Sequence, residues 1–599
     1  VTDDPFAGVQ LGLVTNFEDA QTFMRWASER HDCFALDLET SGLNPWDRNA
    51  RIRLIQIGDQ QTGWAIPYER YSGLVAEVIE DTKTPLVWHN MGFDLKWLQV
   101  QDPLFPQRPD ITHDTMIAAR IRDPIASAAL KKISVELFGP QATAAQKALD
   151  AGMRDNGWGW DDVPLSWATY STYGASDVVL TARVWEDQAR WRKDPRNAYV
   201  YDLELAVRRI CTAMEIKGFR VDMDVTKAAY EKMADYCARV AAYVKNGWGF
   251  SIGSTQQLTD WLIRQGISIE RTTPKGSPSA DADELKRLLA EGILPPEPKQ
   301  VVETTLLYRR ASKIAGTYLL NFIKAGEDDG GLVHPTINTL AARTSRMSIT
   351  NPALQTLQRD DLVVRDCFVP YGDDYDLVTC DSDQIEARLF ANLSRDTGLI
   401  AAFENAELTG DDFFTQMARR VHGDPSIVKK DKRRQTIKNW FYSKSYGAGV
   451  AKMAITAGVP YAHMKALDDA MKIEFPGMKQ FQDRVVDSAI RDGHIDTMIG
   501  RRLRIPDPSK AYVAVNYLIQ GTAADALKQS LVDMDNSGIG DYLHVPIHDE
   551  IVVSAPRDEV DDVKQILNEC MTFTDPQLYP VPLTAGAEGP YAKLGDAKR

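Results

Sequence analysis

The sequence predicts a multidomain protein of α/β and α+β architecture, and three features of its patterning lead there. A chain of 599 residues exceeds what one hydrophobic core organises and suits three or four structural units. Strand-like and helix-like stretches alternate up to about residue 190, and a mainly helical stretch then runs from about 200 to 320. A second mixed region begins near 335, encloses a long helical block over about 395–490, and returns to strand patterns beyond it.

Taken in order, Phe34–Leu38 and Arg53–Ile57 read as strands and Phe93–Val100 as a helix. The helical stretch is interrupted around Gly247–Lys275 and broken by prolines at Leu294–Pro298. Leu543–Ile547 and Glu550–Ser554 are strand-like, with His548 and Asp549 between them as a hairpin turn would be. There is no internal repeat.

Composition narrows the class. Hydrophobic content of 44% with 26% charged residues is that of an ordinary globular protein. No run of 18 apolar residues occurs, so no membrane partner is expected. Val1-Thr2-Asp3-Asp4 lacks the basic and apolar regions of a secretory signal. Six scattered cysteines without a CxxC pair fit reduced thiols and a cytoplasmic location. The net charge of −15 taken alone argues against a nucleic-acid partner. Basic residues nevertheless cluster at Lys429–Arg434, at Arg501-Arg502-Leu503-Arg504, and at Arg309-Arg310 with Lys313. Each cluster alone reads equally well as a solvated face.

The acids carry the chemistry. In Phe34–Glu39, Asp37 and Glu39 alternate with apolar residues, so the period of two puts both carboxylates on one strand face. Adjacent carboxylates repel unless cations lie between them, which suits a divalent metal site. Asn90 with Asp94, and Tyr173 with Asp177, follow at i, i+4 spacing. One such pair would be an ordinary helix face; four acids and a tyrosine in this order are not. Further on, Tyr375–Asp381 runs as a strand into an acid, and a helix begins at Gln384-Ile385-Glu386. A hairpin that brings Asp549 next to Asp381 creates a second two-carboxylate metal site, as phosphoryl transfer requires. Between these acids lies Arg434-x3-Lys438-x3-Tyr442-x3-Tyr446. Steps of four keep all these side chains on one slowly winding helix face. Two cations there suit a triphosphate, and two aromatic rings offer a surface for a base.

Asp37-Leu38-Glu39, His89–Asp94 and Tyr173–Asp177 resemble the three motifs of the DEDDy 3′–5′ proofreading exonucleases. The resemblance implies an RNase H-like fold, with Asp37, Glu39, Asp94 and Asp177 holding two metal ions and Tyr173 orienting the attacking water. From about residue 200 onward the sequence resembles the family A, polymerase I type, DNA polymerases. Asp381–Glu386 is similar to the first palm motif, Arg434–Gly447 to the fingers motif, and His548-Asp549-Glu550 to the second palm motif. Supporting matches are Ser254–Leu258, Lys313 with Thr317-Tyr318, and Asn516 with Gln520–Asp525. The fold implied is a right hand of palm, fingers and thumb. The expected divisions are 1–190 exonuclease, 191–340 thumb and connecting region, 341–394 first part of the palm, 395–500 fingers, and 501–599 second part of the palm.

By position, the resemblance implies that Asp381 and Asp549 bind both polymerase metals, with the Ser382 carbonyl as a further ligand. Arg434 and Lys438 would grip the incoming deoxynucleoside triphosphate, with Gln384 also on the nucleotide. Tyr442 would pack on its sugar and base, Tyr446 would stand at the template side, and Glu386 would exclude a ribose 2′-hydroxyl. Arg346, Gln355, Asn516, Gln520 and His548 would contact the primer-template. Mg²⁺ is the implied cofactor, two ions per site, with Mn²⁺ or Zn²⁺ as alternatives in the exonuclease. The sequence departs from the family at Ser382-Asp383, where Tyr and Ser are usual. It also has Ser345 for a usual Gly, Phe414 for a His near the triphosphate, Tyr512 for an Arg four residues before Asn516, and Ala353 for a minor-groove Asn. No 5′ nuclease sequence precedes the exonuclease motifs, and no thioredoxin-binding insertion separates Tyr318 from His334. Compact chains of this kind imply a bacteriophage source, a bacterial host cytoplasm and a monomer. A nuclease with a merely DNA-binding C-terminal half would not extend a primer, and the intact Asp381 and Asp549 speak against it; a scaffold with dead sites would lack a metal ligand, and none is missing.

Overall fold

The structure is a computed structural model that describes residues 8–327 and 329–599, so the reading of Val1–Asp4 lies outside the described residues. The N-terminal unit is a six-stranded mixed sheet ordered Gln10–Leu13, Thr62–Pro67, Ile52–Gly58, Phe34–Thr40, Leu86–Trp88, Thr112–Asp114. Phe34–Thr40 pairs antiparallel with Ile52–Gly58 and parallel with Leu86–Trp88, which buries it in the middle of the sheet. The long helix Ala168–Asp187 packs across this sheet. Its approach is unusually close: a Cβ at Gly63 would lie 1.9 Å from the Ala175 carbonyl oxygen, so any side chain there would push the helix away.

Helix Pro195–Lys217 leads out of this unit, and helices Met223–Trp248 and Pro296–Lys313 follow. The expected interruption at 247–275 contains a helix, Thr255–Arg264, started by Ser254, whose side chain accepts from the Gln257 amide at 3.2 Å. The proline break is also narrower than expected. Pro296 occupies the first turn of the next helix, where a missing N–H costs nothing, so the break runs from Gly292 to Pro295 and Pro298 lies inside the helix.

The second sheet is antiparallel with four strands, ordered Leu543–Ile547, Glu550–Pro556, Tyr375–Ser382, Ala585–Tyr591. Helix Val560–Cys570 packs on this sheet, and helix Ala514–Asn536 packs against Val560–Cys570. Six helices fill 397–492 and share an apolar core in which Phe403 and Phe413 stack at 4.0 Å.

Buried charges join the units. Glu215 on Pro195–Lys217 receives Lys96 of the first unit at 3.0 Å and Arg208 at 2.6 Å. On the same helix, Glu204 meets Lys528 at 2.5 Å and Arg501 at 2.6 Å, and Arg501 also bonds Asp525 at 2.6 Å. Of the cluster Arg501–Arg504, Arg502 and Arg504 are exposed, whereas Arg501 is 1% exposed and ties two units together. Arg310 is likewise committed, to Asp361 at 2.7 Å. Among the described residues no helix is long and apolar enough to cross a membrane.

Candidate active sites

In the first unit, the central strand presents Asp37 and Glu39 on one face. Asn90 starts helix Met91–Gln101 in the left-handed conformation (φ 76°), which turns the chain so that Asp94 points back at the sheet. Asp94 accepts a bond from the Leu38 amide at 3.2 Å, between the two strand acids. Asp177 and Tyr173 arrive on the helix that Gly63 admits so closely. Burial, then mutual repulsion, holds Asp37, Glu39 and Asp94 above the usual carboxylate range. Burial also raises Asp177, against the pull of Lys131, whose ammonium bonds it directly. The Tyr173 phenol is pushed up by burial and then by these acids.

In the second unit, strand register assembles the site. Asp381 stands opposite Glu550, so Asp549 at the adjoining turn falls beside it. Burial raises both Asp381 and Asp549, and each feels further acids nearby. Glu550 itself is satisfied by Arg365 at 3.3 Å and Lys598 at 2.8 Å. The turn residue His548 has φ 60°, its amide donates to Gln355 Oε1 at 2.9 Å, and Nε2 lies 3.0 Å from the Leu357 carbonyl. Ser345 (φ 59°) and Gln384 (φ 52°) are also left-handed, so strained backbone gathers around this cleft. At 345 this explains why glycine would be the easier residue.

The cleft holds about 680 Å³ and is lined by Arg346, Gln355, Asp381 to Glu386, Arg434, Lys438, Tyr442, His548 and Asp549. Arg434, Lys438 and Tyr442 reach it from helix Lys432–Ser445. Tyr446 falls outside that helix as its capping residue, followed by Gly447 at φ 75°, a correction to the four-residue stripe. It returns to the site through its hydroxyl, which donates to Glu386, while Arg346 donates to the same carboxylate at 2.5 Å. Asn516 and Gln520 lie on helix Ala514–Asn536, which lines the cleft instead with Ala523, Ala524 and Leu527.

Sequence reasoning missed three participants. Asp412 starts helix Phe413–His422 and grips Arg434, a capping pattern visible in Asp411-Asp412-Phe413-Phe414. Arg359 lines the cleft with no local signal. Lys131 stands among the exonuclease acids. Phe414, at the position where a histidine was expected, packs its ring against Phe441 and Tyr442.

The donors in both sites are oxygens, which suits a hard divalent ion. Among the described residues no three acidic, histidine or cysteine side chains converge on one point. An ion here would draw on these carboxylates, with substrate and water completing its shell.

A right-hand polymerase fold behind an RNase H-like fold, each with an acid-lined site, defines a template-copying enzyme that carries its own exonuclease. The family model "DNA polymerase family A" matches residues 223–589, and the model "3′-5′ exonuclease" matches 14–187. The chain belongs to DNA polymerase family A: it is a DNA-directed DNA polymerase with a 3′–5′ exonuclease domain. It is 28% identical to the DNA polymerase of Mycobacterium phage D29, over 92% of this chain and 91% of that one. The DNA polymerase of Mycobacterium phage L5 is likewise 28% identical, over 92% of each chain. DNA polymerase I of Chloroflexus aurantiacus is 28% identical over 93% of this chain, which spans 60% of that longer protein. In fold, the chain is similar to the POL domain of Pol1 from M. smegmatis, solved in complex with DNA primer-template and dNTP. That likeness has a TM-score of 0.78 at 22% identity and covers 98% of this chain and 100% of that one.

Proposed function

We propose that synthesis and trimming by this polymerase are both two-metal phosphoryl transfers at separate sites, and that the enzyme replicates a phage genome. The carrying observation is the register of Asp381 against Glu550, with Asp549 at the adjoining turn and two cations across the cleft. The phage role is supported by relatives of nearly the same extent.

Magnesium ions at Asp381, Asp549 and the Ser382 carbonyl, and at Asp37, Glu39, Asp94 and Asp177, would supply the Lewis acidity for each transfer. Mn²⁺ or Zn²⁺ would also serve in the exonuclease. Arg434 and Lys438 hold the triphosphate tail, and burial holds the Lys438 amine below its usual range before its cationic neighbours lower it further. Tyr442 carries the sugar and base. Glu386, fixed from both sides by Arg346 and Tyr446, closes the space a 2′-hydroxyl would need. Gln384 borders the nucleotide, and Gln355, Asn516, Gln520 and His548 contact the primer-template together with Arg346. In the exonuclease, Tyr173 orients the attacking water. We assign 1–190 to the exonuclease, 191–340 to the thumb and connecting region, 341–394 to the first part of the palm, 395–500 to the fingers and 501–599 to the second part of the palm. The enzyme acts as a monomer in the host cytoplasm.

A labelled primer-template with Mg²⁺ tests this. Asp381→Ala should stop extension and keep 3′ trimming, and Asp37→Ala with Glu39→Ala should do the reverse. A folded variant that loses both activities would remove the two-site reading.

A further inference from the structure

Lys131 sits in the first turn of helix Leu130–Phe138, beside the exonuclease acids. A cation there opposes the helix dipole, so helix stability does not explain it. The start of that helix has no side-chain cap either, and neighbouring Lys132 is exposed. The Lys131 ammonium instead reaches across to Asp177 and stands 4.8 Å from the centre of the Tyr173 ring. Its charge acts on Asp37, Glu39 and Asp177 together. The side chain keeps 22% of its surface exposed, so it can move without unpacking the core.

We propose that Lys131 is a substrate-positioning cation of the exonuclease: it rests on Asp177 in the free enzyme and turns to a non-bridging oxygen of the terminal phosphodiester once ions occupy the acids. This rests on the reading of Asp177 as a metal ligand. Four carboxylates need a counter-charge before metal arrives, and an ammonium supplies part of it. Two divalent ions make that service redundant and repel the ammonium. The nearest remaining anion in a loaded site is the substrate phosphate, within reach of a four-carbon stem. A purely structural ion pair would keep Lys131 on Asp177 throughout.

The full chain carrying Lys131→Met or Lys131→Arg distinguishes the two. Mn²⁺ binding without DNA is measured by titration calorimetry, and trimming of a single-stranded 3′ end is measured at saturating Mg²⁺. Lys131→Met should bind Mn²⁺ several-fold more tightly, because a competing cation is gone. It should nevertheless trim roughly tenfold or more slowly, as loss of one charge-assisted contact implies. Lys131→Arg should recover much of the trimming, and primer extension should be unchanged in both. Unchanged Mn²⁺ affinity, wild-type trimming by Lys131→Met, or no recovery with arginine would overturn the proposal. Trimming that survives Asp177→Asn would instead remove the ligand reading beneath it.

Discussion

Asp412 holds Arg434 by both oxygens: guanidinium Nε lies 3.1 Å from each, and Nη2 lies 2.7 Å from Oδ1. Among the described residues Nη1 has no acceptor, so one edge of the guanidinium is fixed and the other is left for a phosphate. Asp412 also caps its own helix, accepting from the Phe414 amide at 3.1 Å. Asparagine preserves the cap and removes the charge, whereas alanine removes both. Asp412→Asn should raise the KM for deoxynucleotides about tenfold with little change in melting temperature. Asp412→Ala should do the same and cost roughly 1 kcal/mol of stability. Steady-state kinetics and thermal melts decide; a wild-type KM in Asp412→Asn would mean that Arg434 is positioned without it.

Glu386 separates bulk from charge in sugar selection. Its oxygens are taken by Arg346 and Tyr446, so the side chain is locked in place. Glu386→Ala should raise ribonucleotide incorporation relative to deoxynucleotide by an order of magnitude or more, on the order of the discrimination one buried group supplies. Glu386→Gln should keep most of the discrimination, because its volume is nearly the same. Competition of rNTP against dNTP measures both, and equal loss in the two variants would rule out a steric gate.

The buried quartet of Glu204, Lys528, Arg501 and Asp525 is neutral as a set, with every member at most 2% exposed. Glu204→Leu leaves an uncompensated buried cation and should cost about 3–5 kcal/mol. Adding Lys528→Met restores neutrality and leaves Arg501 with Asp525, so the double variant should be more stable than the Glu204→Leu single. Denaturant unfolding of the singles and the double tests this, and simple additivity would contradict it.

His544 lies on Leu543–Ile547, ahead of the His548-Asp549 turn, and is 1% exposed. Burial, then the Lys217 charge, lowers its pKa to about 3. The unfolded chain therefore takes up a proton below about 6.5 that the folded chain refuses. Stability falls as pH drops from there toward 3, at about 1.4 kcal/mol per pH unit from this residue. His544→Gln should flatten the decline in melting temperature between pH 6 and 4, by roughly one proton's share. An unchanged slope would show that His544 does not carry it.

The acids were legible because their signals are local. Period two put Asp37 and Glu39 together, and strand-turn-strand patterning around His548-Asp549 gave the hairpin. The cap at Ser254 and the stop at Tyr446-Gly447 are equally local signals. What the sequence withholds is pairing across distance. Arg501 reads like any basic cluster until Glu204 is folded against it, and Lys131 reads like a surface lysine until Asp177, 46 residues on, arrives beside it. Ser345 shows the reverse: a local oddity in sequence that only the backbone angle explains.

The Tyr442 ring lines the cleft beside Phe414, and among the described residues its hydroxyl bonds no protein group. Burial, then Glu386 and Asp549, pushes the phenol up, so it stays protonated and can donate. A normal nucleotide's 3′-hydroxyl contributes a polar contact inside the closed pocket. A dideoxynucleotide lacks it, leaving polar groups unsatisfied at roughly 1–3 kcal/mol for a buried group. The Tyr442 hydroxyl can fill that vacancy, and phenylalanine cannot. At about 1.4 kcal/mol per factor of ten, the difference is roughly one to two orders of magnitude. The enzyme should therefore discriminate weakly against dideoxynucleotides and Tyr442→Phe strongly. Incorporation ratios are to be compared in an Asp37→Ala background, where trimming does not remove the terminators. Equal ratios in the Tyr and Phe forms would take Tyr442 out of the nucleotide pocket.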